Sequence, residues 1–223
     1  MKEIFDFLRR LRENNNREWF NEHKTEFLEL KAGFEGWIGQ LIGKIAEFDE
    51  EIRGLAVKDC VYRIYRDTRF SPDKTPYKTH MAAYICAPRG RSSVRAGYYV
   101  HVEPDNSLIG GGLYCPEPAL LKRVRRDIYE NIEEFTGILR GKEFAREFKG
   151  LDAEGMLKKV PAPFPADFPE GDLLKHKHYD VISRKPDSFF EGERALKKIA
   201  EVCKVMQPFN RFLNYTVDGE GEN

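Results

Sequence analysis

The first apolar positions, Ile4, Phe5, Leu8 and Leu11, recur at steps of three and four, which predicts a short helix over 2–13. Asn14-Asn15-Asn16 ends it and offers an N-cap for the next element. Phe20, His23, Phe27, Leu30, Phe34, Ile38, Leu41, Ile45 and Phe48 then keep the same alternation, predicting one long helix over 17–48 with a single apolar stripe. Gly33, Gly36, Gly39 and Gly43 fall inside it. Each costs ~1 kcal/mol relative to Ala in a helix interior, so they point to close approach of another backbone or to a break near the middle. His23 lies on the stripe and is read as a core histidine rather than a ligand.

After a charged connector over 49–58 the period changes from helical to two. Cys60-Val61-Tyr62-Arg63-Ile64-Tyr65 predicts a strand with Arg63 and Tyr65 on one face. Pro72, Pro76 and a Ser-Pro-Asp turn make 66–79 an ordered loop. Residues 80–87 are apolar on both faces, as in a central strand. A third strand is expected over 97–103, with Tyr99 and His101 on one face. A fourth, over 107–113, ends in Gly110-Gly111-Gly112. Short links without helices argue an antiparallel meander.

Helical periodicity returns at Pro118 and runs through three pieces: from 118, over 130–139, and over 143–148. Residues 160–172 carry four prolines with Phe164 and Phe168, an extended strap pinned by aromatic rings. His178–Arg184 is one more candidate strand. A last helix from Phe189 aligns Leu196, Ile199, Cys203, Met206 and Phe209, with Pro208 expected to kink or restart it. The expected fold is α+β: a single domain over 1–217 in which N-terminal and C-terminal helices cover one face of an antiparallel sheet of four to five strands. An acidic tail over 218–223 is expected to fray.

Composition adds limits. Lys+Arg and Asp+Glu both number 37 in 223 residues, so the net charge is zero and whole-molecule steering toward nucleic acid or anionic membrane is not expected. No run approaches a membrane span, and the N-terminus lacks the apolar core of a signal peptide. Cys60, Cys86, Cys115 and Cys203 form no C-x-x-C pair. Free thiols and a cytoplasmic location are expected.

Against this neutral background 61–80 stands out. Arg63, Arg66, Arg69, Lys74 and Lys78 face only Asp67 and Asp73, so the stretch carries +3, with Tyr62, Tyr65, Phe70, Tyr77 and His80 interleaved. Arginine offers a planar donor fork to carboxylate or phosphate, and tyrosine a hydroxyl on a rigid ring. The competing reading is an internal web, because Arg66 and Arg69 flank Asp67 and Lys74 adjoins Asp73. The glycine run 110–112 matches neither a P-loop nor a dinucleotide fingerprint, and is read as room for a helix or a neighbouring backbone. His176-x-His178, with Asp180 on the same parity, would share a strand face, but nothing completes a ligand set and no metal site is expected. Ser71, Ser92, Ser93 and Cys115 stand in no nucleophile elbow.

Asn15-Asn16-Arg17-Glu18-Trp19-Phe20 with His23-Lys24, the block Arg63–Lys78, and Gly110-Gly111-Gly112-Leu113-Tyr114 with Pro116, Leu120 and Arg123 together resemble the family called domain of unknown function 2461. The resemblance covers most of the chain. It implies a bacterial-type cytosolic domain of mixed α and β structure, and it supplies no reaction, cofactor or catalytic residue.

The leading functional expectation is a pocket for a small phosphorylated or carboxylated ligand. Arg63, Arg66, Arg69 and Lys78 would supply charge, and Tyr65, Tyr77 and His101 orientation. His101 is the acid–base candidate, since imidazole titrates near neutrality. Turnover, cofactor and oligomeric state are left open. The rivals are an interaction or scaffold module with structural arginines, and single-strand nucleic-acid binding, which net neutrality disfavours.

Overall fold

The strands pair in sequence order, β1-β2-β3-β4, and every pairing is antiparallel. They span Met81–Ile85 (β1), Gly97–Val102 (β2), Leu108–Leu113 (β3) and Tyr179–Arg184 (β4). The helices are α1 (Lys2–Glu13), α2 (Arg17–Glu22), α3 (Lys24–Ile45), α4 (Val57–Cys60), α5 (Pro118–Glu130), α6 (Ile132–Arg140), α7 (Lys142–Phe148) and α8 (Ala195–Asp218). This is a computed structural model, and it describes residues 1–219. The α+β class follows. Within the tail expected to fray over 218–223, Asp218 still belongs to α8; residues 220–223 lie outside the described residues.

One face of the sheet builds the core. Ala83, Ile85, Tyr98, Val100, Val102, Ile109, Tyr179 and Val181 point to it and are almost wholly buried. Helix α8 lies against β3 on this side, and α3, α5, α6 and α7 pack around α8. At Gly111 the approach is tight: a Cβ there would sit 2.3 Å from Met206 Sδ. Pro208 does not break α8. Its lost hydrogen bond and ring clash cost about 3 kcal/mol or more. Burial of Ile199, Met206, Phe209 and Leu213 offsets this, at roughly 1.5–3 kcal/mol per side chain.

The long helix expected over 17–48 is divided at His23, not near its middle. Asn16 caps α2 by accepting from Trp19 N–H at 2.9 Å, and His23 leaves helical geometry at ψ 14°. Its ring stacks on Trp19 at 4.0 Å, with Nδ1 2.8 Å from the Trp19 carbonyl, so His23 is a satisfied, half-buried spacer rather than a core residue. Of the four glycines in α3, Gly39 has a close neighbour, Val57, and nothing lies near Gly33, Gly36 or Gly43.

The largest difference from the sequence pattern lies at 60–65. Cys60 closes α4, and 61–65 touches the sheet through one bridge, Val61 to Ala83, plus Tyr62 N–H to Ala82 O at 2.9 Å. Tyr65 bridges Tyr77, so 61–78 is an irregular hairpin along the edge of β1. β1 is therefore an edge strand, shielded by this hairpin, and the fourth strand of the sheet is β4. The strap over 160–172 is pinned as its aromatics suggest: Phe164 and Phe168 lie 5.4 and 4.8 Å from Tyr129.

Candidate functional site

The other face of the sheet is open. Strand alternation turns Tyr84 of β1, Tyr99 of β2, Gly110 and Gly112 of β3, and Asp180 and Ile182 of β4 toward it. The two glycines leave its floor without side chains. The Tyr84 hydroxyl donates to the carbonyls of Arg95 at 2.8 Å and Gly112 at 3.1 Å. Above this floor is a pocket of about 810 Å³, walled by the 61–78 hairpin, the 86–96 connection, the segment after β3 and the 152–154 loop.

Its two sides differ in charge. Lys78 and Arg91 line the side nearest β1. Lys78 is half-buried with Nζ 5.2 Å from the centre of the Tyr62 ring, and among the described residues no carboxylate pairs with it. Burial, and after it Arg63, lowers its pKa. Arg91 spends Nη1 on the carbonyls of Lys58 and Val61, at 2.6 and 3.1 Å. Asp152, Glu154 and Asp180 line the side of β4. Asp180 is 8% exposed and its Oδ1 has no hydrogen-bond partner. Burial, and then Asp152 and Glu154, push its pKa up to about 7. A carboxyl that titrates near neutrality inside a pocket is a functional-site signal.

At the β1 start the open face carries a second cluster. Tyr99 Oη lies 2.9 Å from His101 Nδ1, and His101 Nε2 3.1 Å from Glu103 Oε2. The His80 ring lies 4.1 Å from that of His101. Burial, and then His101, lowers the His80 pKa to about 4. Burial raises Glu103, but hydrogen bonds from His101, Thr79 and Asn106 outweigh it and hold the carboxyl at about 2.

The residues singled out in 61–80 fall into three places. Tyr65, Arg66 and Tyr77 border a separate cleft of about 310 Å³ with Arg17. Arg66 already binds Asp73 and Thr75, and exposed Arg69 grips Asp67 at 2.7 Å. Hydrogen bonds from Arg69 hold Asp67 at about 2, and those from the Thr75 backbone N–H, then Arg66 and the Thr75 hydroxyl, hold Asp73 at about 2. Arg63 is exposed. Lys78 alone of the six ligand candidates lines the large pocket. It is Tyr62, not Tyr65, that meets Tyr99, edge-on at 6.3 Å, because 60–65 does not keep strand alternation. His101 sits behind His80 with both ring nitrogens engaged, apart from the arginines. His176 and His178 do not form a pair. Nδ1 of His176 lies 2.8 Å from the Asp152 carbonyl, and Nδ1 of His178 accepts from Cys115 N–H at 3.0 Å.

A family model described as a conserved hypothetical protein (DUF2461) matches residues 3–212. The chain belongs to this family. No curated protein and no solved structure matches it. The two DUF2461 stretches around Asn15 and Tyr77 meet in space, since Asn15 hydrogen-bonds the Tyr77 backbone and Phe20 stacks on its ring at 3.9 Å. Among the described residues of this DUF2461 chain, no helix is long and apolar enough to cross a membrane.

Proposed function

We propose that the protein binds a small phosphorylated or carboxylated organic ligand in the open-face pocket, and that Asp180 exchanges a proton with it. Lys78 carries the proposal: a half-buried cation on the pocket wall whose neighbour is an aromatic ring rather than a carboxylate. An ammonium withdrawn from water without a counter-ion is costly, and an anionic ligand supplies the missing charge. Arg91 adds a second cation, and Tyr62 and Tyr99 add rigid hydroxyl-bearing walls. The volume falls within the roughly 300–1,000 Å³ of small-molecule sites. Asp180 replaces His101 as the preferred acid–base group, because it lines the pocket and has a free oxygen atom. The four free thiols support a cytoplasmic setting.

Crystals soaked in phosphate and sulfate test this reading. Density is expected within hydrogen-bonding reach of Lys78 or Arg91. Density confined to the Arg66 cleft or the outer surface would overturn it.

A second reading, a protein-interaction module, is favoured by one observation. Phe70 projects from the internally tied loop and is 94% exposed. Single-strand nucleic-acid binding gains no support, because Arg95, needed for a continuous basic groove, is already paired with Glu51 and Asp218.

A further inference from the structure

We propose that His80, His101 and Glu103 form a binding site for a divalent transition-metal ion of the zinc class, on the rim of the open-face pocket. One ligand atom from each residue lies within 4.8 Å of those of the other two. Strand register brings them together. Met81 opposes Val102, so one step back along β1 sets His80 across from Glu103, with His101 diagonal to it on the same face. Ala82, directly opposite His101, contributes only a methyl group, which lets the two imidazole rings close to 4.1 Å.

The spacing suits a metal. Bonds of about 2.0 Å in tetrahedral geometry place two ligand atoms roughly 3.3 Å apart. The 3.1 Å between His101 Nε2 and Glu103 Oε2 is close to that separation, so a cation can replace the shared proton with little movement of either side chain. The supporting layer is also in place. Thr79 donates to Glu103 Oε1 at 2.6 Å, Asn106 donates to Oε2 at 2.7 Å, and Tyr99 holds His101 through Nδ1. Such outer contacts fix ligand orientation and basicity in metal centres. Two imidazoles and one carboxylate suit zinc, cobalt and ferrous iron, and three protein ligands leave a coordination position open. His80 lines the pocket, so the site borders ligand space. The site stands on its own geometry and does not require the anion to bind.

The test is metal content and affinity of the full chain. Protein stripped with chelator is mixed with excess Zn²⁺, passed through gel filtration and assayed by elemental analysis. Co²⁺ titration is followed by visible absorption. One retained equivalent and a Co²⁺ band are expected in the wild type. His80→Asn and Glu103→Gln should weaken binding at least about tenfold, the lower end of what losing even an outer partner costs. Asn106→Ala, at an exposed position, should weaken binding while leaving the fold intact. His178→Asn should leave binding unchanged. A wild type that retains no metal overturns the proposal without recourse to any variant. So does equal affinity in His80→Asn, Glu103→Gln and wild type.

Discussion

Asn15 grips the backbone of Tyr77 at both polar groups: its Nδ2 donates to the Tyr77 carbonyl at 2.9 Å, and its Oδ1 accepts from the Tyr77 N–H at 3.1 Å. The junction of α1 and α2 is thereby tied to the hairpin that walls the pocket. Tyr77 is 4% exposed, so its backbone groups have no ready replacement in water. Asn15→Ala should cost about 1–3 kcal/mol, the penalty for orphaning buried hydrogen-bonding groups. Urea unfolding of the variant measures it, and an unchanged midpoint would show that the clamp is dispensable.

Exposed ion pairs should behave differently. Arg69 and Asp67 are both largely in solvent, so Arg69→Ala should leave the melting temperature unchanged within error, and should leave any anion effect intact. Loss of the anion effect in this variant would return the binding site to the 66–75 loop.

Asp180 should make stability depend on pH. Its folded pKa is about 7 against an ordinary value of 3.8. Between those values the folded state holds a proton that the unfolded state has released. Stability therefore falls as pH rises through that window and levels off above 7. The charged groups acting on Asp180 are Asp152 and Glu154, both acidic; its backbone hydrogen bond pulls the other way but does not reverse the sign. Asp180→Asn should flatten the profile and be more stable than wild type at pH 8, by up to a few kcal/mol, since each tenfold change in proton affinity is worth about 1.4 kcal/mol. Identical pH profiles for the two proteins would contradict the assignment.

The thiols should divide sharply. Cys60, Cys86 and Cys203 are buried, and burial pushes Cys60 up to about 12 and Cys86 up to about 11. Cys115 is exposed and lines the pocket. A thiol reagent should modify Cys115 quickly in the folded protein and the other three only on unfolding. Bound phosphate should slow that single reaction. Rapid modification of all four would contradict the described burial.

Helix periodicity and the strands β2 and β3 were readable because burial of one face imposes its period directly on the chain. The 60–65 segment departs from the strand its pattern predicts because alternating aromatic and β-branched residues suit an edge hairpin as well as a paired strand. Its Tyr62 reaches Tyr99 through an irregular turn that no pattern encodes. The charge excess in 61–80 points to Arg66 and Arg69, yet Asp73 and Asp67 satisfy both. Asp180 was visible only as a residue sharing the parity of His178. Its role depends on β4 pairing with β3, nearly seventy positions earlier (Gly112 opposite Asp180). The meeting of His80 with Glu103 likewise depends on the β1–β2 register, which alternation alone leaves free to slip.

Lys78 is the point at which the anion-pocket reading is most exposed to test. The decisive measurement is thermal unfolding of wild type and Lys78→Met in millimolar phosphate against chloride of matched ionic strength. A ligand that binds only the folded state raises its melting temperature by mass action. The wild type should gain a phosphate-specific shift that Lys78→Met lacks, while their melting temperatures in chloride stay close, because the lost contact with Tyr62 is worth about 0.5–1 kcal/mol. No phosphate-specific shift in the wild type, or the same shift in both proteins, would contradict the account.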